Sequence, residues 1–223
     1  MDRPRDEAKF YRSPHSAYRR MPDCQRGIAI SMTRKSCIAI IAAGIAAAAV
    51  TPAAANPPKS LYTTIELGAC KQTRRHRDGG AWLCKGLEGY PIYVAEGDLR
   101  MFVSVGKRPE KRRAATQTLG PFNSLFKGKS NRATLEWRFV KRNGTVVPYA
   151  TIQRFFTQND DGKGEVLVVT KVTDKEDCHV AHIDALANPQ AIALARKVAD
   201  DEARAFDCKN DPKRVGAVGK SPM

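Results

Sequence analysis

The segment Cys178-His179-Val180-Ala181-His182-Ile183-Asp184 gathers a thiol, two imidazoles and a carboxylate within one short stretch. Side chains alternate along a strand, so His182 and Asp184 share a face and His179 takes the other. Asp184 is then placed to orient His182 as a general base, the core of a small periplasmic hydrolase. The same alternation keeps the two histidines off one metal ion unless the strand is bulged. A hydrolase also needs a nucleophile, and the chain has no Gly-x-Ser-x-Gly elbow. The plainer reading makes His182 a hydrogen-bonded residue near a sheet–helix junction, with Asp184 supporting a turn.

Glu96-Gly97-Asp98 with Arg100 forms a second polar knot, between two apolar segments. Two neighbouring carboxylates suit acid–base work or a cation, yet two ligands are too few for a metal. A turn with a local Asp98–Arg100 pair explains the same residues. Two basic runs, Arg74-Arg75-His76-Arg77 and Lys107-Arg108 with Lys111-Arg112-Arg113, would make an anion-binding patch if the fold brings them together. Merely solvated loops are the alternative.

The stretch from Thr33 to Asn56 decides how the cysteines are read. Arg34 and Lys35 precede an apolar run from Cys37 to Val50, followed by Ala53-Ala54-Ala55. That order is a secretory signal peptide, residues 32–55, with cleavage after Ala55. The run falls short of the roughly 20 residues of a membrane-spanning helix, so no transmembrane span is expected in the mature form. Cys37 stands at the start of the run, where a lipid-modified cysteine would follow it. Residues 1–31 are polar and basic, read as a disordered leader, and Met32 makes a compact start of its own. Arg19-Arg20 lie too far from the run for a twin-arginine signal.

Export to the periplasm or beyond is oxidising, so Cys70, Cys84, Cys178 and Cys208 are expected as disulfides. The local pairing, Cys70–Cys84 with Cys178–Cys208, closes the shortest loops. No Cys-x-x-Cys pair is present, so neither zinc nor any other metal or cofactor is expected. Nine of the 38 Lys and Arg and four of the 23 Asp and Glu precede the cut, which leaves a formal charge of +10. Such a balance favours an anionic envelope component or another envelope protein as partner. Export and the lack of a nucleic-acid motif exclude DNA and RNA.

Beyond a linker at 56–60, one domain is expected over 61–210 and a disordered tail over 211–223. Leu61–Leu67, Ala81–Cys84, Pro91–Ala95, Leu99–Val105, Thr134–Val140, Tyr149–Phe156, Glu165–Val172 and Cys178–Ile183 have strand composition. Lys71–Gly80 and Gly106–Asn131 read as basic loops. Asn143-Gly144 and Asn159-Asp160-Asp161-Gly162 supply turns. A single helix is expected over Pro189–Phe206, capped by Asn188. The fold class is α+β: an antiparallel, meander-like sheet of about six to eight strands, partly closed, with the C-terminal helix packed on it.

Cys70 with Ala81-Trp82-Leu83-Cys84-Lys85-Gly86, then Gly89-Tyr90-Pro91-Ile92-Tyr93-Val94-Ala95-Glu96-Gly97-Asp98-Leu99-Arg100, with Leu135-Glu136-Trp137-Arg138, Ala150-Thr151-Ile152 and Cys178-His179-Val180-Ala181, resemble small exported proteins of alphaproteobacterial type without an assigned function. The resemblance spans roughly Leu61 to Cys208 and implies export. It brings no catalytic residues. A non-enzymatic binding or envelope-associated domain with a basic surface is the expectation, with the His182/Asp184 hydrolase as the alternative.

Overall fold

The computed structural model describes residues 59–223. The expected leader, the expected signal peptide and residues 56–58 of the expected linker lie outside the described residues. Lys59 and Ser60, assigned to the linker from sequence, already belong to the first strand.

The elements run β1 (Lys59–Glu66), β2 (Lys71–His76), β3 (Gly79–Leu87), β4 (Tyr90–Gly97), β5 (Arg100–Val105), β6 (Phe122–Ser124), β7 (Arg132–Arg142), β8 (Thr145–Asn159), β9 (Gly162–Val172), β10 (Asp177–Asp184), α1 (Ala191–Asp201) and β11 (Lys213–Arg214). The architecture is α+β and, apart from the short β10–β11 pairing, antiparallel. Its strands form two open sheets rather than one partly closed sheet. The smaller has the order β2-β3-β4-β5; the larger has β1-β7-β8-β9-β10-β11, with β6 paired to β8 beside β7.

Strand alternation builds three layers. Ile65, Leu135, Trp137, Phe155 and Val168 of the large sheet pack against Ile92, Val94 and Val103 of the small one. The intervening residues Ile152, Leu167 and Val169 face outward and bury against Ala195, Val198 and Ala199 of α1. Trp137 is fully buried, and its indole N–H donates to Thr63 Oγ1 at 2.9 Å. Its neighbours Glu136 and Arg138 therefore point to the helix side. Cys70–Cys84 closes the open end of the β2–β3 hairpin, and Cys178–Cys208 ties β10 to the segment after α1. Loops of 14 and 30 residues give about 3 kcal/mol each in the chain-entropy view.

Three local expectations are corrected. Lys71–His76 is a strand and not a loop: it forms the outer edge of the small sheet, where every side chain is exposed and charge carries no penalty. The helix is shorter than Pro189–Phe206, and Asn188 does not cap it. Asn188 instead donates to the carbonyls of Asp184 and Ala217 and accepts from the Ala217 N–H.

Those bonds belong to the third correction: the tail, expected to be disordered, is strapped to the domain. β11 pairs with β10 in parallel, and Ser221 is buried. The Ser221 hydroxyl donates to Asp184 Oδ1 (2.6 Å) and accepts from the Glu165 N–H (3.0 Å). Gly164 permits this approach, since a Cβ there would sit 2.5 Å from that of Ser221. Polar composition hid the tail because its anchor is a buried carboxylate and not an apolar stripe.

Candidate functional site

A register shift between His179 and Ala181 makes Val180 the extra residue of a bulge. The bulge resets the alternation, so His179 and His182 fall on one face, with His179 Nδ1 3.1 Å from His182 Nε2. Burial drives both pKa values down: His179 to about 3, with His182 beside it, and His182 to about 4, with Arg214 nearby. Two neutral rings share one hydrogen between facing nitrogens. Asp184 does not orient His182. Its carboxylate accepts from the backbone N–H groups of Leu186, Ala187, Lys220 and Ser221 and from the Ser221 hydroxyl. Burial alone would push Asp184 up, but these five donors outweigh it and hold the carboxyl low. The segment thus contains a structural pair and a tail anchor in place of a base and its orienter.

Asp98 and Leu99 occupy the left-handed turn between β4 and β5, with φ of 50° and 57°. Asp98 pairs there with Arg100, whose Nε donates to Gly120 O at 2.9 Å. Glu96 lies in β4 opposite Met101, and no third carboxylate completes a cation site among the described residues.

The two basic runs do not converge. Arg74 and Arg75 lie on β2, one edge of the small sheet; Arg77 follows them into the turn. Lys107, Arg108, Lys111 and Arg113 follow β5, the other edge, about 14 Å away across three strand spacings. The register also sets them toward opposite ends: Arg75 leads through Gly80 and Glu96 to Met101, whereas Lys107 lies beyond Val105. Arg112 is structural, its guanidinium donating to Lys107 O and Asp174 O.

A different set of cations does converge, on the outer face of the large sheet. There α1 is held by two reciprocal forks: Arg138 of β7 grips Asp200 of the helix (2.9 and 2.7 Å), and Arg196 of the helix grips Glu136 of β7 (2.7 and 3.2 Å). Each is a bidentate charge-assisted pair. Beyond the N-terminal half of α1 the sheet face is uncovered. Two adjacent hollows of about 380 and 500 Å³ open there and share Lys127 and Phe156 in their walls.

Lys127, Arg132, Arg154, Lys163 and Arg196 line these hollows against only two carboxylates, Glu136 and Glu165. Glu165 bridges Lys127 (3.0 Å) and Arg154 (2.7 Å). Burial raises its pKa, but the Lys127 hydrogen bond and the Arg154 charge outweigh that and keep it ionised below the usual range. Leu125, Ile152 and Leu167, each almost fully buried, and the exposed Ile192 supply the apolar part of the first hollow's wall. Gln153 Oε1 and Thr157 Oγ1 are the two buried side-chain polar atoms without a hydrogen-bond partner among the described residues; both belong to the Phe155 face of β8, away from Arg154.

Sequence reasoning missed this groove because its cations come from β7, β8, β9, α1 and the segment after β6, and only Lys127 lies in a stretch that reads as basic. The one signal was the alternation of β8, which sets Arg154 on the face opposite Phe155. Among the described residues no helix is long and apolar enough to cross a membrane. No family model, curated protein or solved structure matches the chain.

Proposed function

We propose that this chain is an exported, disulfide-stapled binding domain that meets an anionic envelope component through the groove beside α1. One observation carries the reading: five cations from five separate segments line two adjacent hollows that hold only two carboxylates. Charges gathered this way raise the local concentration of anionic partners. The leader sequence, the two disulfides and the resemblance to small exported proteins support the export part of the reading.

Co-sedimentation with lipid vesicles tests it. Vesicles containing phosphatidylglycerol should retain the protein at low ionic strength and release it at about 0.5 M salt, where screening is short-ranged. Pure phosphatidylcholine vesicles should retain little. Equal retention by the two compositions contradicts the reading.

A further inference from the structure

We infer that the outer edge of β1 is a self-association surface, on which a second copy of this chain lays its own β1 antiparallel and continues the large sheet. A sheet edge is a row of unpaired N–H and C=O groups that invites another strand, and folded chains cover or blunt it. Three of the four strands that end the two sheets are dealt with in this way. Along β5, the Met101 N–H donates to Asn123 Oδ1, Met101 O accepts from the Thr118 hydroxyl, Leu99 O accepts from the Asn123 N–H, and the Val105 N–H donates to Asp177. β10 is covered by β11, with its His179 N–H donating to Gln117 Oε1 and His182 O accepting from the Val215 N–H. β2 is bare but carries Lys71, Arg74 and Arg75 and a register shift between Gln72 and Arg74, which disfavour a further strand.

β1 has none of these devices. Its eight residues pair with β7 in unbroken register, and its only charges are Lys59 and Glu66, the first and the last. Among the described residues, no backbone group of Ser60–Ile65 bonds to anything but β7. Leu61 and Tyr62, two of the seven exposed large hydrophobics there, stand side by side on this strand. The composition fits a second copy. Antiparallel pairing about a twofold axis at Thr63 sets Leu61 opposite Ile65 and Tyr62 opposite Thr64, an apolar pair and an aromatic–β-branched pair. It also brings the Lys59 end of each copy to the Glu66 end of the other. Such an isologous contact closes on itself, so association stops at two.

Two points rest on the proposed function. Cleavage after Ala55 leaves only Asn56, Pro57 and Pro58 ahead of β1, and a proline has no N–H to give to the open edge. A twofold axis normal to the sheet keeps each sheet face on its own side, so the grooves beside the two α1 helices point the same way. One anionic surface then meets both grooves at once, which strengthens retention with no new kind of contact.

Sedimentation equilibrium of the purified disulfide-bonded protein should show a monomer–dimer equilibrium and no larger species, retained at about 0.5 M salt, where charge contacts are screened. Hydrogen exchange at the Leu61–Ile65 amides should slow as protein concentration rises, with the Lys71–His76 amides unchanged. Thr64 is exposed and lies outside both hollows. Thr64→Lys sets like charges on diagonal positions across the axis and should weaken dimerisation at least tenfold, as should Thr64→Glu. Mixed in equal amounts, these two variants should pair with each other more tightly than either pairs with itself. Gln72→Lys, on the β2 edge, should change nothing. A monomer at every concentration, a dimer dissolved by salt, or a dimer that Thr64→Lys leaves intact overturns the inference. In each of those cases salt-sensitive vesicle binding, if retained, leaves the groove reading standing. A dimer broken by Thr64→Lys but without preference for anionic vesicles supports the shared sheet and removes the groove reading alone.

Discussion

His179 Nδ1 and His182 Nε2 face each other at 3.1 Å because one extra residue, Val180, turns both rings to the same side of β10. Either ring, once protonated, would place a cation in a buried site with Arg214 close to His182. The fold therefore favours the neutral forms, with both pKa values lowered from 6.5. Their contribution is complete above about pH 6.5 and is lost as pH falls toward 4, because the unfolded chain takes up protons first. Urea unfolding at pH 7 and pH 4.5 should show the loss. His182→Gln keeps a neutral polar partner for His179, so it should reduce the pH 7 to pH 4.5 difference relative to the parent protein.

Asp177 has the opposite sign. Burial raises its pKa from 3.8 to about 7, although the Val105 and Ala114 N–H groups and the Arg112 charge oppose the rise. Its neutral form is favoured on folding, so its contribution is complete below about pH 4 and is lost as pH rises through 7. Asp177→Asn holds the group neutral and keeps an acceptor for the Val105 N–H. The stability of this variant relative to the parent should climb between pH 4 and pH 8. A flat difference across that range would show that Asp177 titrates normally.

The fork between Arg138 and Asp200 should matter more than an ordinary surface ion pair. Arg138 is 7 % exposed, and Asp200 also accepts from the Tyr149 hydroxyl. Burial and that bond push the tyrosine pKa up to about 12. Arg138→Ala leaves a partly buried carboxylate unpaired and should cost roughly 3 kcal/mol in chemical denaturation. Lys197→Ala removes an exposed pair on the same helix and should leave the denaturation midpoint almost where it was.

The layers, the hairpins and the local disulfide pairing follow from patterns short enough to read along the chain. Leu135, Trp137 and Phe139 alternate, Asn143-Gly144 closes its hairpin, and the spacing of Cys70 and Cys84 suits one staple. Other features depend on contacts far apart in sequence. Val180 gives no sign of being a bulge, yet it undoes the alternation that set His179 apart from His182. Polarity made residues 211–223 read as free, although Asp184 gathers their N–H groups from 36 and 37 positions away. The groove was hidden for the same reason: Lys127, Arg132, Arg154, Lys163 and Arg196 meet only after β6, β7, β8, β9 and α1 are assembled.

The most direct test of where anionic partners meet this protein is an amide-resolved NMR titration with a short-chain phosphatidylglycerol below its micelle concentration. Saturating shifts are expected at Arg132, Arg154, Glu165 and Ile192–Arg196, with Arg74–Arg77 and Lys107–Arg113 unchanged. Shifts confined to those two basic runs, with the groove silent, would contradict the groove as the meeting place.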